Sequence, residues 1–73
     1  MMEILTPEKA TERLRAEGMK ISPEMLRDGI EQEAFPFGTY VKSRHGGNKY
    51  WVYGSLLDRW IEEREKNESQ MEN

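Results

Sequence analysis

Residues 37–53 read FGTYVKSRHGGNKYWVY, and the fold depends on how this stretch pairs with itself. Two runs suited to strands, Thr39–Arg44 and Lys49–Tyr53, flank His45, Gly46, Gly47 and Asn48. A Gly-Gly pair supplies positive φ at both central positions of a two-residue hairpin loop. A turn there sets Arg44 opposite Lys49, Ser43 opposite Tyr50, Lys42 opposite Trp51, Val41 opposite Val52 and Tyr40 opposite Tyr53. Side chains alternate between the faces of a sheet. One face then carries Val41, Ser43, Tyr50 and Val52 and reads as a core surface, while the other mixes Tyr40, Tyr53 and Trp51 with Lys42, Arg44 and Lys49. Like charges directly opposite one another are unfavourable, and residues 36–54 contain no acidic residue. This predicts a tip that meets an external anion. The plainer reading is that both cations splay into solvent, where repulsion is screened over about 10 Å, and keep a sheet edge from pairing with other chains. Trp51 is expected to point outward beside Lys42 in a cation–π stack; a one-residue bulge would turn it into the core and Tyr50 outward instead.

Outward from the hairpin, charge divides the chain into three. Residues 1–35 hold five Lys/Arg and eight Asp/Glu, residues 36–54 hold three and none, and residues 55–73 hold three and six. The net charge of −3 therefore conceals a basic middle between acidic ends, which argues against indiscriminate coating of DNA but permits local contact by a basic tip. With 73 residues there is room for one small domain and little for a catalytic cleft with its own supporting shell. The chain has no cysteine, so neither a disulfide frame nor a thiolate metal site is available, and an intracellular, reducing setting is expected. Met1–Leu5 runs directly into Thr6-Pro7-Glu8 without a basic and then apolar leader, and no segment approaches the roughly 20 apolar residues that span a bilayer. The expectation is a cytoplasmic protein without a membrane or small-molecule partner.

On the N-terminal side, Leu5-Thr6-Pro7-Glu8 and Ile21-Ser22-Pro23-Glu24 repeat one order: apolar, hydroxyl, Pro, Glu. Each predicts a helix start with Thr6 or Ser22 as N-cap and Pro at the first helical position. The first helix is expected to run to about Glu17, with Ala10, Leu14 and Thr11 inward and Gly18 as its left-handed stop. The second is expected to bury Met25, Leu26 and Ile30 and to expose Glu24, Arg27, Asp28, Glu31 and Gln32. Gly18-Met19-Lys20-Ile21 between them has the look of a helix-turn-helix connection. Gly29 costs a helix about 1 kcal/mol against Ala, so either the helix frays there or a neighbouring backbone comes close. Pro36 disfavours helix at Phe35, and both Phe35 and Phe37 read as core plugs. On the C-terminal side, Gly54-Ser55 offers an N-cap, and Leu56, Leu57, Trp60, Ile61 and Arg64 form a helical stripe over 56–66. The polar residues 67–73, NESQMEN, read as a disordered acidic tail outside the domain of residues 1–66.

Catalytic constellations are absent. His45 is the only histidine and has no second ligand or nucleophile to work with, and the carboxylates Glu31, Glu33, Glu62, Glu63 and Glu65 read as solvated helix faces. Arg27 could reach a phosphate or a guanine edge or pair with Glu31 four residues on.

The order LTPEKATERL, ISPEMLRDGI, the Pro36 approach to a hairpin tipped GGNKYWV, and the closing LLDRWIEE resembles the small winged-helix excisionases of temperate phages and integrative elements, the recombination directionality factors. It is also similar to the DNA-binding domain of mercury-resistance-type regulators. The resemblance covers about residues 4–64. It implies an α+β fold, a winged helix-turn-helix built as helix, helix, β-hairpin, helix. It also implies a DNA-binding set of Lys20, Ser22, Glu24 and Arg27 in and before the second helix, with Lys42, Arg44, His45, Lys49 and Trp51 in the wing. Such a protein uses no cofactor and does no chemistry. It binds and bends double-stranded DNA beside neighbouring protomers and assists an integrase in excision. The alternatives are a small transcriptional regulator or a protein-interaction adaptor or inhibitor on the same scaffold. This chain departs from the family in its acidic balance and in the carboxylates of its second helix.

Overall fold

The computed structural model describes the backbone of residues 2–71 and the side chains of residues 2–66. The described residues form a small α+β domain of three helices and a three-stranded antiparallel sheet. In chain order these are β1 (Ile4–Leu5), α1 (Pro7–Ala16), α2 (Pro23–Glu31), β2 (Gly38–Val41), β3 (Lys49–Tyr53) and α3 (Gly54–Met71). No helix among the described residues is long and apolar enough to cross a membrane.

Both repeated helix starts form as local chemistry dictates. The Thr6 hydroxyl accepts from the Lys9 N–H at 3.2 Å and the Ser22 hydroxyl from the Met25 N–H at 3.2 Å, each satisfying a donor that the first helical turn leaves unpaired. α1 ends one residue before the expected Glu17, and Gly18 follows at φ 96°, the left-handed conformation glycine adopts most readily. Within α1, the buried Thr11 hydroxyl donates to the Pro7 carbonyl at 2.8 Å.

The hairpin differs from expectation in one strand. The observed partners are Gly38 with Val52, Thr39 with Trp51, Tyr40 with Tyr50 and Val41 with Lys49. β2 is thus shifted by three residues from the pairing that a Gly46-Gly47 turn would impose, and an odd shift exchanges its faces. Arg44 does not face Lys49, and neither glycine uses positive φ; residues 42–48 form a seven-residue loop instead. Tyr50 and Val52 point inward as expected, but Tyr40 joins them and Val41 turns out, 53% exposed. The expected Lys42–Trp51 stack is replaced by Thr39 across from Trp51. Three contacts favour this register. Tyr40 and Tyr50 stack with ring centroids 6.1 Å apart, the Tyr53 N–H donates to the Phe37 carbonyl at 2.9 Å, and Gly38 lies where a Cβ would come within 2.8 Å of Ile30 Cδ1, so α2 can settle onto β2. Lengthening the loop costs little against these, because closure entropy grows only slowly with length.

A third strand, β1, carries no signal of its own in the sequence. Ile4 pairs with Tyr53 and Leu5 with Val52, giving the sheet order β1-β3-β2. Helices cover one face of this sheet. Ala10, Leu14, Leu26, Ile30 and Leu57 close over Leu5 and Val52 in one buried cluster, each large aliphatic side chain contributing about 1.5–3 kcal/mol. Met25, expected in that cluster, is 57% exposed, because Leu26 and Ile30, one turn apart, already define the inward stripe and Met25 sits about 100° round the helix from Leu26. α2 stops at Glu31, ahead of the Pro36 boundary, and Glu33 takes φ 59°. α3 begins directly at Gly54 without the expected Ser55 cap and extends to Met71, beyond Lys66. Glu72, Asn73 and the side chains of the segment read as a disordered tail lie outside the described residues.

Phe37 is fully buried and stacks on Phe35 at 5.1 Å, and Trp60 of α3 meets both rings edge-on, at 5.3 Å and 5.9 Å. Gly29 exists for this cluster. A Cβ there would lie 2.5 Å from Phe35 Cδ2, so a side chain approaches, where a backbone had been one expectation. Gly29→Ala gains about 1 kcal/mol of helix propensity but overpacks the aromatic group at about 1–3 kcal/mol. The expected result is a melting temperature lower by several degrees in a thermal unfolding scan; a higher one would mean that Phe35 swings aside freely.

Candidate nucleic-acid interface

The connection between β2 and β3 collects most of the chain's central positive charge. Lys42, Arg44 and His45 lie in the loop and Lys49 opens β3, and all four are exposed. Among the described residues none of the four forms an ion pair with a carboxylate of this chain. Two arginines of the helical layer are different. Arg13 donates to both carboxylate oxygens of Glu3 at 3.3 Å and to Asp58 at 3.2 Å, joining the approach to β1 with α1 and α3. Arg15 Nε donates to the Ile21 carbonyl at 2.7 Å and braces the turn between α1 and α2. Arg13 and Arg15 are engaged within the fold, whereas the cations of the loop face outward.

The loop is anchored from the inner side of β3. The Tyr50 hydroxyl donates to Glu31 Oε2 at 2.7 Å and Asn48 Nδ2 donates to Glu31 Oε1 at 3.3 Å, so the last residue of α2 holds the root of the loop by both oxygens. At the tip, the His45 N–H donates to the Ser43 hydroxyl at 3.4 Å. Glu31, expected on a solvated helix face, is instead half-buried and engaged. No local pattern points to this contact, since its partners are 17 and 19 residues away.

The Tyr50 phenol is pushed above its ordinary value, chiefly by its bond to the Glu31 carboxylate and then by burial. A raised phenol pKa contributes stability that is complete below the unfolded tyrosine value, about 10, and lost as pH rises through the folded one. Thermal unfolding between about pH 9 and 11 should therefore show wild type losing stability more steeply than Tyr50→Phe. Parallel curves would mean that the bond is absent in solution.

The α2 residues fall into a second group. Lys20 is exposed in the turn, Glu24 is exposed in the first turn of α2, and the Ser22 hydroxyl is occupied as the N-cap. Arg27 does not pair with Glu31, the intrahelical partner expected of it from sequence. Its guanidinium donates to Glu8 Oε2 of α1 at 2.9 Å. The Glu8 carboxyl is held below the usual carboxylate range by its own backbone N–H first and by Arg27 second, so the pair is intact at neutral pH and is lost only as pH falls through the lowered value.

Trp51 is 37% exposed and points away from the core, without the bulge that would have turned it inward. Lys42, Arg44, His45 and Lys49 thus share one loop and its root, with Trp51 on the outward face of the strand that follows, whereas Lys20, Ser22, Glu24 and Arg27 belong to α2 and the turn before it. Among the described residues no group of three or more His, Asp or Glu side chains is placed to hold a metal ion. Comparison with known proteins finds no matching family model, no matching curated protein and no matching solved structure.

Proposed function

We propose that this chain is a winged helix-turn-helix protein that binds double-stranded DNA, of the excisionase kind, acting by binding and bending and not by catalysis. On this reading α1, the Gly18 turn and α2 form the helix-turn-helix, α2 enters the major groove, and loop 42–48 is the wing on the neighbouring backbone. The observation that carries the reading is the exposed, unpaired set of Lys42, Arg44 and Lys49 in a stretch without acidic residues. Three phosphate contacts per protomer give a salt slope of about −3, a roughly forty-fold loss of affinity between 50 and 200 mM salt. One copy binds weakly, so adjacent copies or an integrase complete the affinity. A mobility-shift series with duplex DNA at several salt concentrations tests it. Shallow salt dependence, or tight binding by a lone protomer, counts against it.

One observation favours a second reading, a protein-interaction adaptor on the same scaffold. The outer side of α2 presents Glu24, Met25 and Asp28, and its one cation, Arg27, is held by Glu8. A groove-reading helix is normally supplied with free donors. Retention of a protein partner by a chain lacking Arg44 and Lys49, with no duplex binding by wild type, would favour the adaptor.

A further inference from the structure

We infer that the outward face of the sheet is a stacking platform for an unpaired DNA strand, a site apart from α2 that shares Lys42, Arg44 and Lys49 with the proposed wing. The three-residue shift of β2 sets Thr39 and Val41 on this face and takes Tyr40 to the inner one. Along β3, Lys49, Trp51 and Tyr53 point outward in succession, flanked by Thr39 and Val41 of β2 and by Ile4 of β1, which is 46% exposed. The helices cover the opposite face.

The chemistry of the face identifies its occupant. Two aromatic rings and aliphatic neighbours suit the flat faces of bases, and Lys42, Arg44 and Lys49 line one end with positive charge for the phosphates. Glu31, the carboxylate hydrogen-bonded at this end, is engaged by Tyr50 and Asn48 on the inner face and does not oppose an anion there. Trp51 and Tyr53 are two strand residues apart, about 6.7 Å. That is about twice the 3.4 Å per nucleotide of a duplex strand, so neighbouring bases can meet both rings only once they are unstacked from each other. A paired duplex hides the base faces and cannot use the platform. A second copy of the chain fits poorly. The face covers on the order of 250 Å² from strand spacing and length, well short of the roughly 800 Å² per partner of a stable interface.

The test uses the full chain and a short labelled oligothymidylate, with fluorescence anisotropy at low salt and the tryptophan emission of the protein as a second signal. The expected result is quenching of emission on binding, about ten-fold or greater weakening by Trp51→Thr, and recovery of most of the affinity by Trp51→Phe. Threonine suits a strand, and a circular dichroism spectrum checks that the variant is folded. Equal affinity of wild type and Trp51→Thr for the strand overturns the inference, as does binding of oligouridylate as tightly as oligothymidylate, or dimers in sedimentation that Trp51→Thr abolishes. A duplex titration in parallel separates the two readings. Duplex binding lost with strand binding kept sinks only the helix-turn-helix proposal, and the reverse sinks only this one.

Discussion

Phe37→Ala should leave the protein largely unfolded at room temperature. The ring is fully buried between Phe35, stacked at 5.1 Å, and Trp60, edge-on at 5.3 Å, and it precedes β2, where the chain must turn from α2 into the sheet. Its removal costs about 3–5 kcal/mol in transfer and cavity terms. A domain of this length draws roughly 3–5 kcal/mol from its single core, and here no disulfide supplements it. The loss therefore matches the whole stability. Far-UV circular dichroism during heating should show no cooperative transition for Phe37→Ala, while Phe37→Leu, which keeps most of the volume, should remain folded at a cost of up to about 1.5 kcal/mol. A cooperative melt near wild type for the alanine variant would mean that Phe35 and Trp60 collapse into the space.

The second large effect is functional. On the winged-helix reading, replacing Arg44 and Lys49 together with alanine removes two of three phosphate contacts. The salt slope should become shallower by about 2 and duplex affinity near 100 mM salt should fall on the order of fifty-fold. Stability should change by no more than about 0.5 kcal/mol, as for other exposed positions, because both side chains are exposed and make no ion pair among the described residues. Mobility shifts across a salt series, with a thermal melt of the same sample, separate lost contact from lost fold. An unchanged slope would remove the loop from the interface.

Local pattern made part of this molecule readable. Thr6-Pro7 and Ser22-Pro23 mark helix starts because a cap acts on N–H groups three residues away. Gly18 marks a stop because of its own φ. Leu26 with Ile30, and Tyr50 with Val52, declare inward faces through the periods of helix and strand. The basic, acid-free stretch 36–54 was equally plain from composition, and the exposure of its cations agrees with it.

What neighbours in sequence could not decide was which distant groups meet. The register of β2 rests on Gly38 beneath Ile30 and on the Tyr40–Tyr50 stack, and a Gly-Gly dipeptide carries no information about either. Two residues of β1 are too few to show a period, and Ile4-Leu5 becomes a strand only because β3 offers an edge. Arg27 faced Glu31 on its own helix and found Glu8 on another, while Glu31 was taken by Tyr50 and Asn48. The chain alone determined its caps, stops, inward stripes and the location of its positive charge, since those depend on forces within a few residues. Packing alone decided the strand register, the third strand and the pairing of its surface charges, because each depends on contacts between residues far apart in the chain that form only once the helices close over the sheet.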